Sequence, residues 1–177
     1  MNAHRSITIE TPDKLYRTGV KGPRAAQWLA DQGIALPGNP NAWMVTHDQL
    51  RVLRLGHSEY LLECAIQHPV FAQITEASQP MAAGVYRVPR ADAVFMLYGE
   101  GIMSLLAEVC ALNLSERSLA EDGLFMTLLA GIPAIVIRQT ISNLPSYRIW
   151  CDGTYAAYLR EILQEIAHDL SPLCSEF

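Results

Sequence analysis

The chain has 177 residues, half of them hydrophobic, a formal net charge of −5 and a pI near 5.5. That is enough to bury a substantial core as one domain or two tight halves. The 13 basic residues form no cluster and include only two lysines, Lys14 and Lys21, which argues against a face that tracks nucleic-acid phosphates.

In chain order, the opening Met1-Asn-Ala-His-Arg-Ser-Ile is too polar for a signal peptide, and no apolar run approaches the ~18 residues of a spanning helix. No membrane association and a cytoplasmic location are therefore expected. A short extended segment at 16–21 runs into Gly22-Pro23, and proline suits the first helical turn because its missing N–H would find no partner there. Ala25, Trp28 and Leu29 then share a helical face and Gly33 stops the helix, while 35–41 reads as a loop. Residues 50–55 and 60–64 read as a hairpin across Gly56-His-Ser-Glu59. Pro69 opens a second helix with Val70, Phe71, Ile74 and Ala77 on one face, closed by Ser78-Gln-Pro80.

The second part repeats this order. Strands are predicted at 85–88, 93–98, 124–129, 134–138 and 147–151, with a helix after Gly99-Glu-Gly101 carrying Ile102, Leu105, Leu106 and Val109. The last helix, over 154–169, stacks Tyr155, Tyr158, Leu159, Ile162 and Ile166 opposite Arg160, Glu161, Gln164 and Glu165. Lys21-Gly-Pro-Arg-Ala-Ala-Gln-Trp-Leu-Ala30 aligns with Tyr98-Gly-Glu-Gly-Ile-Met-Ser-Leu-Leu-Ala107, and Tyr60-Leu-Leu-Glu-Cys64 with Tyr147-Arg-Ile-Trp-Cys151. Two matches in the same order read as a duplication. The expected fold is α+β, with duplicated, ferredoxin-like β-α-β-β-α units divided at 80/81 and packed as one compact unit.

Chemistry-bearing residues do not converge. Cys64, Cys110, Cys151 and Cys174 make no Cys-x-x-Cys pair, and the first three end apolar runs, where cysteine acts as a small hydrophobe. His4, His47, His57, His68 and His168 complete no zinc-ligand spacing. His57-Ser58-Glu59 mimics a triad, but groups within one turn rarely achieve that geometry, and a solvated turn accounts for them. Gly99-Glu-Gly101 lacks the third glycine of a dinucleotide fingerprint. Arg87, Arg90 and Asp92 fit either a clamp for a ligand carboxylate or a local surface ion pair. No catalytic, cofactor-binding or metal-binding residue is assigned. The apolar runs 123–129 and 134–137 are either an edge that a partner covers or central strands buried on both faces.

Four motifs, in order, carry a resemblance over residues 16–167: Gly22-Pro-Arg-Ala-Ala-Gln-Trp-Leu-Ala30, Arg54-Leu-Gly-His-Ser-Glu-Tyr-Leu-Leu62, Met126-Thr-Leu-Leu-Ala-Gly-Ile-Pro133 and Tyr147-Arg-Ile-Trp-Cys-Asp-Gly-Thr-Tyr-Ala-Ala-Tyr-Leu159. Together they resemble the gamma subunit of heterotetrameric sarcosine oxidase, a family related to the folate-binding domain of the glycine-cleavage T-protein and other aminomethyltransferases. The resemblance implies a non-catalytic subunit of a complex that oxidatively demethylates sarcosine or a related N-methyl amino acid. It places FAD, FMN, NAD, zinc and tetrahydrofolate on alpha, beta and delta-type partner subunits. T-protein-like enzymes follow the Leu-Ala-Gly-Ile-Pro strand with an acidic, glycine-containing turn that helps hold folate. Here Gln139-Thr-Ile-Ser-Asn-Leu-Pro145 has neither acid nor glycine, and the chain is too short for the third domain that closes around folate. The rival expectations are a stand-alone folate-binding, aminomethyltransferase-like protein of one-carbon metabolism and an interaction module that has lost its complex.

Overall fold

A computed structural model describes residues 6–75, 81–115, 120–141 and 144–170. The predicted helix-face residue Ala77, the stop Ser78-Gln-Pro80, His4 and Cys174 lie outside the described residues. The chain forms two units, 13–91 and 1–12 with 92–177, each built on a five-stranded antiparallel sheet. The boundary is thus not at 80/81. Each predicted half contributes one short strand, Thr8–Glu10 or Tyr86–Val88, to the unit built mainly from the other, which sequence periodicity does not reveal.

In unit 13–91, β2 (Tyr16–Lys21) leads into α1 (Ala25–Asp31). Then follow β3 (Ala42–Val45), β4 (Arg51–Arg54), β5 (Glu59–Cys64), α2 (Pro69–Thr75) and β6 (Tyr86–Val88), in sheet order β3-β4-β5-β2-β6. Helix α1 starts at the turn of Gly22, whose carbonyl accepts from Ala25 N–H, and ends at Gly33, which has a φ of 78°. Val20, Leu29, Val52, Tyr60, Leu62, Cys64, Phe71 and Ile74 form its helix-covered core.

The other unit begins with β1 (Thr8–Glu10) and resumes with β7 (Asp92–Tyr98), α3 (Ile102–Val109), β8 (Leu124–Leu129), β9 (Ile132–Ile141), β10 (Leu144–Asp152) and α4 (Ala156–Leu170), in sheet order β1-β7-β10-β9-β8. Phe95, Leu97, Leu105, Leu106, Val136, Tyr147, Ile149, Leu159 and Leu163 fill its core. Asp152 caps the entry to α4, accepting from the backbone N–H of Thr154 at 2.8 Å.

Three strands separate the helices of each unit, as predicted for the second part; in unit 13–91 the third is β3, which escapes the alternation rule because Ala42-Trp-Met-Val45 is apolar throughout. The duplication itself is reproduced in register. Tyr60 pairs with Val20 and Tyr147 with Leu97, while Cys64 pairs with Tyr16 and Cys151 with Ala93. Gly22 and Gly99 have φ of 123° and 122°, and a Cβ on either would lie 2.3 Å from Gly84 O or 2.1 Å from Ser6 O. These two carbonyls precede β6 and β1 and accept N–H bonds from Arg24 and Gly101. Glycine is needed twice because the edge strand's backbone passes directly over the strand-to-helix turn in both units.

Candidate functional site

The connection between β9 and β10 continues their ladder on both sides. Strands β9 and β10 remain paired almost to their tip, with Gln139 opposite Ser146, Thr140 opposite Pro145 and Ile141 opposite Leu144. The Ser146 hydroxyl donates to Gln139 O at 3.1 Å. Residues 139–141 and 144–146, which lie between the strands predicted at 134–138 and 147–151, thus extend the ladder, and Ser142 and Asn143 lie outside the described residues.

The other motif residues are placed by structural needs. The backbone of the 56–59 connection is held by Arg54, whose guanidinium donates to the carbonyls of Gly56 and His57. The same group reaches the carbonyls of Pro37 and Gly38, so one side chain ties two loops together. His57 and Ser58 are exposed, as a solvated turn requires. Arg87 and Arg90 belong to one unit and Asp92 to the other, and all three are half-buried rather than open to solvent.

Two polar clusters escaped sequence reasoning. Glu63, on the face of its sheet turned from the helices, is fully buried between Arg17 Nε and Arg51 Nη1, each 3.1 Å away. Burial works against the Arg51 charge, and Glu63 counters it. Arg51 also lies 5.8 Å from the centre of the Trp43 ring. In the second cluster the Thr46 hydroxyl donates to Asp48 Oδ1, and Asp48 Oδ2 lies 2.5 Å from His68 Nε2. His68 Nδ1 accepts the Val70 N–H at 3.2 Å, which makes Nε2 the protonated nitrogen. The Thr46 and His68 bonds hold the Asp48 carboxyl down to about 2. Both imidazole nitrogens are engaged in holding α2, so His68 offers no base to a substrate.

The cysteines behave as expected of small hydrophobes. Cys64, Cys110 and Cys151 are buried, and burial, with Asp92 and Asp152 nearby, pushes the Cys151 thiol up to about 11. Cys110 borders an open pocket of 350 Å³ at the end of α3, lined by Met103, Leu106, Leu112 and Leu114 and, among the described residues, by no charged group. Among the described residues, no three His, Cys, Asp or Glu side chains are grouped to hold a metal ion.

The surface feature that stands out is β8. It is an edge strand and joins β9 through a two-residue turn at Ala130 and Gly131, both with positive φ. Met126 and Leu128, on the face turned from the helices, are 54% and 56% exposed. Pro133 and Ile135 lie opposite them in β9. Of the two apolar runs read as a possible edge, 123–129 is one and 134–137 is interior, flanked by β8 and β10.

No family model matches this chain, and no curated protein does. Solved structures do. A chain of heterotetrameric sarcosine oxidase from Corynebacterium sp. U-96, in complex with pyrrole 2-carboxylate, superposes with a TM-score of 0.77 at 22% identity, covering 99% of this chain and 89% of that one. Glycine cleavage system aminomethyltransferase T from Bartonella henselae gives a TM-score of 0.64 at 15% identity, covering 90% of this chain and 46% of that one. The chain therefore has the fold of these proteins and spans about half of the aminomethyltransferase.

Proposed function

We propose that this chain is a gamma-type, non-catalytic subunit of a sarcosine-oxidase-like complex that oxidatively demethylates sarcosine or a related N-methyl amino acid. The observation that carries this reading is reciprocal coverage. This chain and one chain of a four-subunit oxidase match over nearly the whole length of both, whereas the aminomethyltransferase is only half matched.

The local chemistry agrees with that role. The hairpin corresponding to the acidic turn of T-protein-like enzymes is a closed ladder of Gln139, Thr140, Ile141, Leu144, Pro145 and Ser146. It offers no carboxylate to a pterin. Two polar clusters among the described residues are paired internally: Glu63 with two arginines, Asp48 with Thr46 and His68. On this reading FAD, FMN, NAD, zinc and tetrahydrofolate belong to alpha, beta and delta-type partners, as the sequence resemblance implies. Among the described residues no helix is long and apolar enough to cross a membrane. We place the complex in the cytoplasm.

Pull-down of the tagged chain from its native cells, with mass spectrometry and an absorbance scan, tests this. Yellow flavoprotein subunits should co-purify. A colourless chain without partners that binds tetrahydrofolate in titration would replace this reading with the stand-alone aminomethyltransferase-like one.

A further inference from the structure

Among the described residues there are four sheet-edge strands, and three of them are blunted in ways that discourage pairing. Strands β1 and β6 have three residues each and carry Glu10 and Arg87 respectively. Strand β3 has four residues, and the Arg51 guanidinium lies over its Trp43 ring. Strand β8 differs from all of them. Leu124-Phe-Met-Thr-Leu-Leu129 has six residues, no charge and no proline, and its register with β9 is unbroken by any bulge.

The hairpin geometry says which backbone groups β8 presents outward. In a two-residue hairpin the residues flanking the turn, here Leu129 and Ile132, form a hydrogen-bonded pair, and pairs then alternate along the ladder. Thr127–Ala134 and Phe125–Val136 are therefore bonded within the sheet. Leu124, Met126 and Leu128 turn their N–H and C=O groups to the open side. Outward bonding capacity and side-chain exposure coincide at Met126 and Leu128.

We propose that this edge is self-complementary, and that in the free protein two copies pair their β8 strands antiparallel about a two-fold axis at Thr127. In that register Met126 faces Leu128 of the second copy, and both present outward N–H and C=O groups, so the pair exchanges two backbone hydrogen bonds; the symmetry repeats them. The two exposed apolar side chains of each copy cover those of the other on one face of a continuous sheet. On the other face Thr127 meets its own equivalent, a favourable cross-strand pair. No charged residue lies within either strand, and the acidic Glu121 and Asp122 fall beyond the paired segment, toward the second copy's Ala130-Gly131 turn. Like charges are thus kept apart. A single strand pair buries less than the ~800 Å² per partner of a standard interface, so the association is reversible and roughly micromolar. This inference does not depend on the identity of the larger complex.

The test uses the purified full chain in sedimentation velocity from about 1 to 200 μM, a range that brackets roughly micromolar association, with hydrogen exchange read over 124–129. A monomer–dimer equilibrium is expected, with exchange at Met126 and Leu128 slowing as concentration rises. Leu128→Lys places a charge at both two-fold-related contacts and should weaken dimerisation at least about tenfold. Met126→Pro removes one outward N–H without touching the β9 ladder and should do the same, whereas Leu128→Met should keep the dimer. Circular dichroism confirms that each variant is folded, and Leu128→Lys carries the test if the proline variant is not. A monomer at every concentration overturns the proposal, as does a dimer that Leu128→Lys leaves intact. Protection of these amides only when another protein co-purifies would assign the edge to that partner and overturn self-pairing.

Discussion

At the scale of single residues, buried charge and turn geometry set the strongest constraints. Glu63 has no exposure and its single carboxylate bridges two guanidiniums, so Glu63→Ala removes their shared counter-charge from a site that burial already makes unfavourable for Arg51. A loss of about 3–5 kcal/mol is expected in urea unfolding, because removing one member of a buried pair leaves uncompensated charge. Gly22→Ala and Gly99→Ala each combine a backbone conformation reserved for glycine with a Cβ inside contact distance of a carbonyl. Each should cost about 2–4 kcal/mol by the same measurement. Asp48 contributes a pH dependence whose sign is fixed by its lowered folded-state value of about 2. Its share of stability is present above the ordinary value of 3.8 and is lost as pH falls from there toward 2. The Asp48 side chain is 40% exposed, so screening limits the effect to less than about 1 kcal/mol, and Asp48→Asn should flatten that part of the acid limb.

At the scale of elements, α4 shows how far amphipathicity reads through to packing. Its sequence stripe of Tyr155, Tyr158, Leu159, Ile162 and Ile166 is sorted by the structure. Leu159 and Leu163 are fully buried, whereas Tyr155 and Tyr158 remain about half exposed. Leu163→Ala should therefore destabilise the protein by about 2–5 kcal/mol, and Glu161→Ala by less than about 0.5, in the same unfolding experiment. The strands were legible where apolar and polar residues alternate or turns are marked, as in β5 and β10. They were missed where every residue is apolar, as in β3, or where the strand is too short for a pattern, as in β1. The 139–145 segment was misread because Pro145 and small polar residues resemble a loop. In fact Pro145 lies near the ladder's tip, where a missing N–H costs little.

At the scale of the whole molecule, the duplicated order survives in two sheets, with the β2–β5 register reproduced in β7–β10, yet the units are not consecutive halves. Strand β1 precedes one unit in sequence and completes the sheet of the other. A truncated chain beginning at residue 13 loses the cover of β7 along with Ile7 and Ile9, which pack against the core of that unit. Exchange of β7 amides should then accelerate by at least about tenfold, while β2 and β5 exchange as before.

What the sequence by itself determined is local and periodic. Glycine at 22, 33 and 99, the buried faces of the helices, and the paired tyrosines and cysteines of the repeats all follow from neighbouring residues and spacing. What only the tertiary structure decided is non-local. The capture of β1 by β7, the partnership of Glu63 with Arg17 and Arg51, and the edge position of β8 depend on strands far apart in the chain coming to lie side by side. Strand order leaves almost no trace in sequence, because a ladder is built from backbone groups that every residue but proline carries, and an edge strand can be as apolar as a central one.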